Sequence, residues 1–303
     1  MLSELFYWVL NISIIGSVTG LVVLSLRKIK ALPRLAIYVL WSLPLIRFWL
    51  PFGIANEYSL LNLISKFTTR TVVIWEEVPQ LTTTNSIMGA KGYFPLEYKT
   101  DLLENVFKVA SLVWIIVCCA AILTSVLLYF LTKSELKSME LIKSNIYKSD
   151  RIAAPAVYGI IRPRIVIPTA LAGGDIDYIL LHEQVHISRR DNLFRVIAVL
   201  TACFHWFNPL SWIFLKYFFA DMELACDAKV LKSLNEKQIK EYALTILTCA
   251  SGKTFFASAF GGAKTKVRIE SILSYKKLTL LSSLCFAALI MAIAVIIITN
   301  ATV

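Results

Sequence analysis

Three runs of about twenty residues without a single charge constrain this chain more than anything else in it. They lie near 5–26 (LFYWVLNISIIGSVTGLVVLSL), 109–131 (VASLVWIIVCCAAILTSVLLYFL) and 278–299 (LTLLSSLCFAALIMAIAVIIIT). Each is long enough to cross the hydrocarbon core of a bilayer as a helix. A fourth run, near 33–52, carries Arg34, Arg47 and the prolines Pro33, Pro44 and Pro51. It is expected to be a kinked crossing, with Arg47 reaching toward the outer interface. At 57% hydrophobic residues the chain does not fit a soluble domain of its length. The first run is expected to stay in place as a span and not to act as a cleaved signal. Glu4 precedes it, and the cations Arg27, Lys28 and Lys30 follow it.

Those cations set the orientation, because Lys and Arg accumulate on the cytoplasmic side of a membrane. The 27–34 turn is therefore predicted inside and the N-terminus outside. The 53–108 loop holds five basic and six acidic residues and reads as extracellular. The 132–277 segment holds 21 basic and 13 acidic residues and reads as cytoplasmic. The organisation expected is mainly α and polytopic, with four transmembrane helices. Residues 1–131 hold three of them (about 5–26, 33–52 and 109–131), 132–277 form a cytoplasmic domain, and 278–303 form the fourth helix with a short outside tail. Most of the net charge of +11 is accounted for by orientation and anionic lipid headgroups, so no direct nucleic-acid contact is expected. Cys118, Cys119 and Cys285 fall in spans and Cys203, Cys226 and Cys249 in the cytoplasmic segment, which offers no disulfide framework. Cys226 reads as a small buried thiol.

Within the cytoplasmic segment, 133–150 (KSELKSMELIKSNIYKSD) predicts a charged surface helix and turn. Residues 154–171, punctuated by Pro155, Gly159, Pro163 and Pro168, predict a small β-hairpin with an edge strand. That edge serves either to pair with an extended peptide or as structure alone. Asp175 or Asp177 is expected to cap a helix running to about Arg190. That helix carries His182-Glu183-Gln184-Val185-His186. Two histidines four apart share one helix face, and neutral imidazole suits Zn2+. Glu183, next to the first of them, is placed to take a proton from a metal-bound water.

Residues 193–220 are apolar enough to pass for a fifth span, but Asn208-Pro209 marks a helix boundary. A crossing here would also part His186 from Glu223. Two helices lying in, or buried against, the inner membrane face are expected instead. The second, from Pro209 to about Leu234, presents Glu223 and Asp227 four apart. Asn192 stands where the HExxHxxGxxH pattern needs a third histidine, so Glu223 is the expected third ligand. Asp227 is expected to fix a ligand His from behind, although the two carboxylates could exchange roles. His205 reads as a packed histidine beside Trp206.

PAVYGIIRPRIVIP, HEQVHISRRDN, WFNPLSW and DMELACDAKVL, in that order, closely resemble the membrane-embedded zinc peptidases of the BlaR/MecR antirepressor family. IRFWLPF and YSLLNLI extend the likeness into the membrane part. The resemblance implies a bacterial cell-membrane protein with a cytoplasmic gluzincin-like metalloprotease domain on four membrane helices. It implies Zn2+ held by His182, His186 and Glu223, Glu183 as catalytic base, and Asp227 behind a ligand. Family members relay an outside signal, typically a β-lactam, to cleavage of a winged-helix repressor of the BlaI/MecI kind, and a homodimer is plausible from the family. They also clip themselves, and Ser251 to Ser271 is a candidate stretch, a solvated linker being the other reading. The family's sensors continue into a penicillin-binding domain, whereas this sequence ends at Val303. The signal is therefore expected to enter through the outside loop, a separate sensor protein or the bilayer. Two rival readings are a membrane quality-control zinc protease and a non-catalytic transducer or scaffold.

Overall fold

The computed structural model describes residues 2–29, 31–50, 58–59, 101–134, 139–152, 154–171, 176–249, 264–275 and 279–299. Most of the predicted outside loop lies outside this set. With no water to satisfy them, backbone groups in an apolar run bond to one another along a helix. The first run does so as α1 (Leu2–Leu26). Over 33–52 the chain makes two short helices, α2 (Arg34–Leu40) and α3 (Ser42–Trp49), where one kinked helix is predicted. Pro44 supplies the reason. It has no N–H to donate, and its ring crowds the carbonyl four residues back, on Leu40, where α2 ends. Arg47 does not reach for the interface. It is buried, donating from Nε to the Ile297 carbonyl at 3.0 Å and from Nη2 to the Thr299 carbonyl at 2.7 Å, at the end of the last helix. Helix α4 (Asp101–Ser134) outruns its apolar core at both ends.

The charged stretch after α4 departs from its predicted helix. Residues 140–149 form β1 (Glu140–Lys143) and β2 (Ile146–Ser149), turning at Ser144 with φ of +50°. β3 (Ala156–Tyr158) and β4 (Arg164–Pro168) form the predicted hairpin, turning through Gly159 at φ of +92°. The sheet order is β1-β2-β4-β3, with β2 parallel to β4. This parallel register sets Ile146 and Tyr147 beside Ile165 and Val166, and β-branched and aromatic side chains suit such a packed, pleated surface. Long-range pairing therefore overrides the local helix signal. β3 lies at the edge, where its Val157 carbonyl and the Gly159 carbonyl in the turn after it each accept from Asn192 Nδ2 at 3.0 Å.

Among the described residues, six α-helices follow: α5 (Asp177–Arg189), α6 (Asp191–Phe204), α7 (Pro209–Leu231), α8 (Glu236–Cys249), α9 (Thr265–Leu273) and α10 (Leu280–Ile298). Ile176 holds the N-cap position of α5 without a side-chain bond, so Asp177 is not the predicted cap. It sits in the first turn instead, where negative charge meets the positive end of the helix dipole. Asp175 lies outside the described residues. Among the described residues, three helical stretches are long and apolar enough to cross a membrane: Leu2–Leu26, Asn105–Ser134 and Leu281–Ile298.

Helices α6 and α7 break at Asn208-Pro209 as predicted, with Asn208 Oδ1 accepting from the Leu210 N–H at 3.0 Å. Helix α7 packs lengthwise along α1. Asn208 Nδ2 donates to Ser13 Oγ at 2.8 Å and Ser17 Oγ at 2.7 Å, midway along α1. At the other end of the contact Arg27 Nε bonds both oxygens of Asp221 at 2.8 Å. From Ser13 to Arg27 on α1, and from Asn208 to Asp221 on α7, is about 20 Å of helix each. The two therefore run side by side in the same direction. The tip of the hairpin finds its polar partners there. The Trp114 indole N–H donates to the Phe204 carbonyl at 3.0 Å, and the His205 ring Nε2 meets the Phe48 carbonyl at 3.0 Å. A shared apolar core of Val23, Trp41, Phe48, Phe214, Phe218 and Met222 fills the space between.

Gly20 permits this close approach, since a Cβ there would overlap the Phe214 ring. Gly20→Leu should therefore lower stability by about 1–3 kcal/mol through overpacking. Thermal unfolding of the purified protein in detergent would show this as a midpoint several degrees lower, and an unchanged midpoint would contradict the packing described.

Candidate metal centre

Helical spacing places His182 and His186 one turn apart on α5. Their Nε2 atoms are 3.1 Å apart, with the rings inclined at 82°. Helix α7 brings Glu223 across them. One carboxylate oxygen lies 3.5 Å from His182 Nε2 and the other 3.6 Å from His186 Nε2. A tetrahedral zinc with nitrogen and oxygen ligands at about 2.0–2.1 Å holds its donors about 3.3 Å apart. The three donors already have that spacing. Both histidines are buried, so two imidazole lone pairs and a carboxylate this close repel unless a proton or a cation lies between them. The donor set fits a divalent ion of the zinc type.

Cys226 adds a further donor. Its sulfur lies with the two histidines in a group whose ligand atoms are all within 4.8 Å of one another. The thiol sits 3.6 Å from His182 Nδ1 and donates to the His182 carbonyl at 3.4 Å. It approaches His182 from behind, on the ring nitrogen turned away from Glu223.

Each imidazole is fixed by a partner on that far side. His186 Nδ1 lies 2.6 Å from Asp191 Oδ2, and Asp191 is fully buried. Donation from Nδ1–H to this carboxylate leaves the Nε2 lone pair facing Glu223. His182 Nδ1 lies 2.8 Å from the Tyr242 hydroxyl, which donates onward to Asp227 Oδ1 at 2.6 Å. Asp227 in turn receives two bonds from Arg268, Nε to Oδ2 at 2.8 Å and Nη2 to Oδ1 at 2.7 Å. Arg195 Nη2 donates to Glu223 Oε1 at 2.8 Å, and Arg268 Nη1 stands 3.6 Å from Glu223 Oε2.

Burial by itself would raise both carboxyl pKa values and lower both imidazole values. The neighbours reverse each effect. His186, His182 and Arg268 hold Glu223 well below the usual carboxylate range, and Arg268 with His182 does the same for Asp227. Cys226, Tyr242 and Asp227 raise His182 well above 6.5, and Cys226, Glu223 and Asp191 do so for His186. A divalent cation between the donors would meet the same concentration of negative charge as these protons do. Glu183 follows His182 on α5, is buried, and makes no hydrogen bond or ion pair among the described residues.

The structure thus gathers His182, His186, Glu223 and Asp227 at one point, with Glu223 facing the two Nε2 atoms and Asp227 behind His182. Sequence reasoning misses Asp191, Tyr242, Arg195 and Arg268. Asp191 lies five residues past His186, and only the break at Arg190, a residue at φ of +56°, turns it back toward the ring. Tyr242 and Arg268 carry no local signal. Residues 251–263 of the suggested self-cleavage stretch lie outside the described residues. From Thr265 onward it is helix α9, which delivers Arg268 to the site.

Comparison with known proteins gives one family match and three relatives. A family model described as BlaR1 peptidase M56 matches residues 7–272. The Regulatory protein BlaR1 of Bacillus licheniformis is 36% identical over 109 residues, 35% of this chain and 18% of that protein. The Methicillin resistance mecR1 protein of Staphylococcus aureus is 35% identical over 106 residues, 34% of this chain and 18% of that protein. The Regulatory protein BlaR1 of Staphylococcus aureus is 24% identical over 229 residues, 65% of this chain and 39% of that protein. The chain spans well under half the length of these relatives.

Arg268→Met should leave Asp227 buried without its main cation and cost about 3–5 kcal/mol. Denaturation of the metal-free protein would measure the loss, and the added change Asp227→Asn should recover part of it. A single-variant cost under about 1 kcal/mol would mean that the pair contributes little to the fold.

Proposed function

Because this chain belongs to the peptidase M56 family, we propose that it is a membrane-bound zinc endopeptidase of a signalling pathway. The observation that carries the reading is the convergence of His182 Nε2, His186 Nε2 and the Glu223 carboxylate within 3.1–3.6 Å of one another. These three residues hold Zn2+, with the Cys226 thiol left behind His182. Bound there, Zn2+ supplies a Lewis acid that lowers the pKa of a water toward about 7 and polarises the scissile carbonyl. Glu183 takes the water's proton and returns it to the leaving amine. Asp191 and the Tyr242–Asp227 pair keep each imidazole in the tautomer that directs Nε2 at the ion. Arg195 and Arg268 keep Glu223 ionised.

The domain around the site is gluzincin-like, with the HEQVH helix and the Glu223 helix crossing beside a small sheet. Helices α1, α4 and α10 and the kinked α2–α3 segment make four crossings. The N-terminus is outside, and the sheet, α5, α8 and α9 lie in the cytoplasm, which the charge asymmetry of the loops supports. The substrate is a cytoplasmic winged-helix repressor of the BlaI/MecI kind, and the chain also cuts itself within Ser251 to Ser271. Its edge strand β3 can pair with an extended substrate backbone. A separate sensor protein and a homodimer complete the pathway. A quality-control protease would share this chemistry but cut unfolded membrane proteins broadly. A silent scaffold would have no use for a buried, unpaired Glu183.

Glu183→Gln should retain zinc at the wild-type level yet cleave a co-expressed repressor at least about 100-fold more slowly. Chelation should abolish cleavage by the wild type, and added zinc should restore it. Cleavage by Glu183→Gln at the wild-type rate would remove it from the base role. N-terminal sequencing of fragments should find a cut within Ser251 to Ser271 in the wild type and none in Glu183→Gln. Fragments common to both proteins would mean that another protease makes them.

A further inference from the structure

The membrane-side helices touch the metal-binding elements directly. Tyr38, on α2, donates its hydroxyl to Asp191 Oδ1 at 3.1 Å, while the other oxygen of the same carboxylate holds His186 Nδ1 at 2.6 Å. The Tyr38 ring is pinned from two sides. It stacks on Phe218 of α7 with centroids 5.6 Å apart, and the Arg189 guanidinium lies 4.3 Å from its centre. Arg189 also pairs with Asp191, Nε to Oδ1 at 3.2 Å. A second contact grips the other ligand helix. Asp221, two residues before Glu223, is held by Arg27 of α1 and by the Trp41 indole N–H at 2.9 Å. The far end of the α2–α3 segment is tied through Arg47 to the last carbonyls of α10. Polar contacts therefore anchor the α2–α3 segment at both ends, to the end of α10 through Arg47 and to the carboxylate behind His186 through Tyr38.

We propose that Tyr38 is a positioning residue for the metal centre, and that through it the α2–α3 segment sets how His186 meets the ion. This rests on the zinc reading above. Asp191 is buried, so its charge is satisfied by the few donors that reach it, and among the described residues Tyr38 is the one supplied by a membrane-side helix. Withdrawing that hydroxyl leaves the carboxylate freer to rotate and removes one of the bonds that aim the His186 ring. Partners one step behind a metal ligand typically change metal affinity by about 10–100-fold. Tyr38 stands one bond further back, where a single hydrogen bond amounts to about a three- to tenfold effect. Such coupling is reciprocal, so metal binding must tighten α2 by the same measure.

Tyr38→Phe removes the hydroxyl while keeping the ring between Phe218 and Arg189. The test uses the full chain in detergent. Zinc affinity is measured by competition with a chromophoric chelator, and hydrogen exchange is followed over residues 34–40 with and without zinc. Tyr38→Phe should bind zinc about three- to tenfold more weakly while its metal-free form unfolds within a few degrees of wild type. In the wild type, zinc should slow exchange over 34–40, a readout that needs no variant. Equal zinc affinity in the two proteins, or exchange over 34–40 that ignores zinc in the wild type, would overturn the proposal. His186→Ala tests the underlying reading separately. If it keeps wild-type zinc affinity, the metal assignment falls, and this proposal with it.

Discussion

An imidazole can be aimed at a metal only if its second nitrogen is held, and the rest of this site follows from how the two histidines are held. The two are held differently. His186 is bound straight to Asp191, whereas His182 reaches Asp227 chiefly through the Tyr242 hydroxyl. Burying two carboxylates has a heavy solvation penalty unless cations and hydroxyls surround them. Those groups come from distant parts of the chain: Tyr38 from α2, Arg189 from α5, Tyr242 from α8 and Arg268 from α9. Helices otherwise unrelated in sequence converge because the anions behind the histidines demand partners.

The α6–α7 hairpin links this arrangement to the membrane part. Its composition is apolar enough for a span, yet its tip turns at Asn208 and its chain returns. Such a turn is tolerable beside apolar helices only where its polar groups find internal partners, and Ser13, Ser17, Phe48 and Trp114 all take part. The same hairpin carries Glu223 near its returning end. The largest apolar cluster is consequently shared between α1, α2, α3, α6, α7 and α10, and the candidate site rests directly on the membrane-side helices.

Features encoded by short-range rules were legible in the sequence. The histidine spacing on one helix, the Asn208 cap with Pro209 after it, and the Gly159 hairpin each depend on a few neighbouring residues. Features decided by partners far along the chain were not. Residues 140–149 look helical alone but become strands because β4 offers a parallel edge. Pro44 signals a kink, yet only packing decides that Arg47 turns inward to the end of α10. Tyr242 and Arg268 lie 60 and 86 residues beyond His182, and nothing around them marks their role. Asp191 was within reach, since an acidic residue just past the HEQVH helix is available to a ring on its last turn. Recognising it requires knowing that the helix stops at Arg189.

That stop is made by Arg190 in the left-handed region, a conformation costing a residue with a Cβ roughly 1–2 kcal/mol. Glycine would relieve the strain but would also let the joint swivel. With arginine there, α5 ends and α6 begins across a single stiff residue, leaving no slack between the histidine and the carboxylate that steadies it. Loop-length variation, which most surface connections absorb, has no room at this corner: one inserted residue would rotate α6 by about 100° relative to α5 and carry Asp191 away from the imidazole.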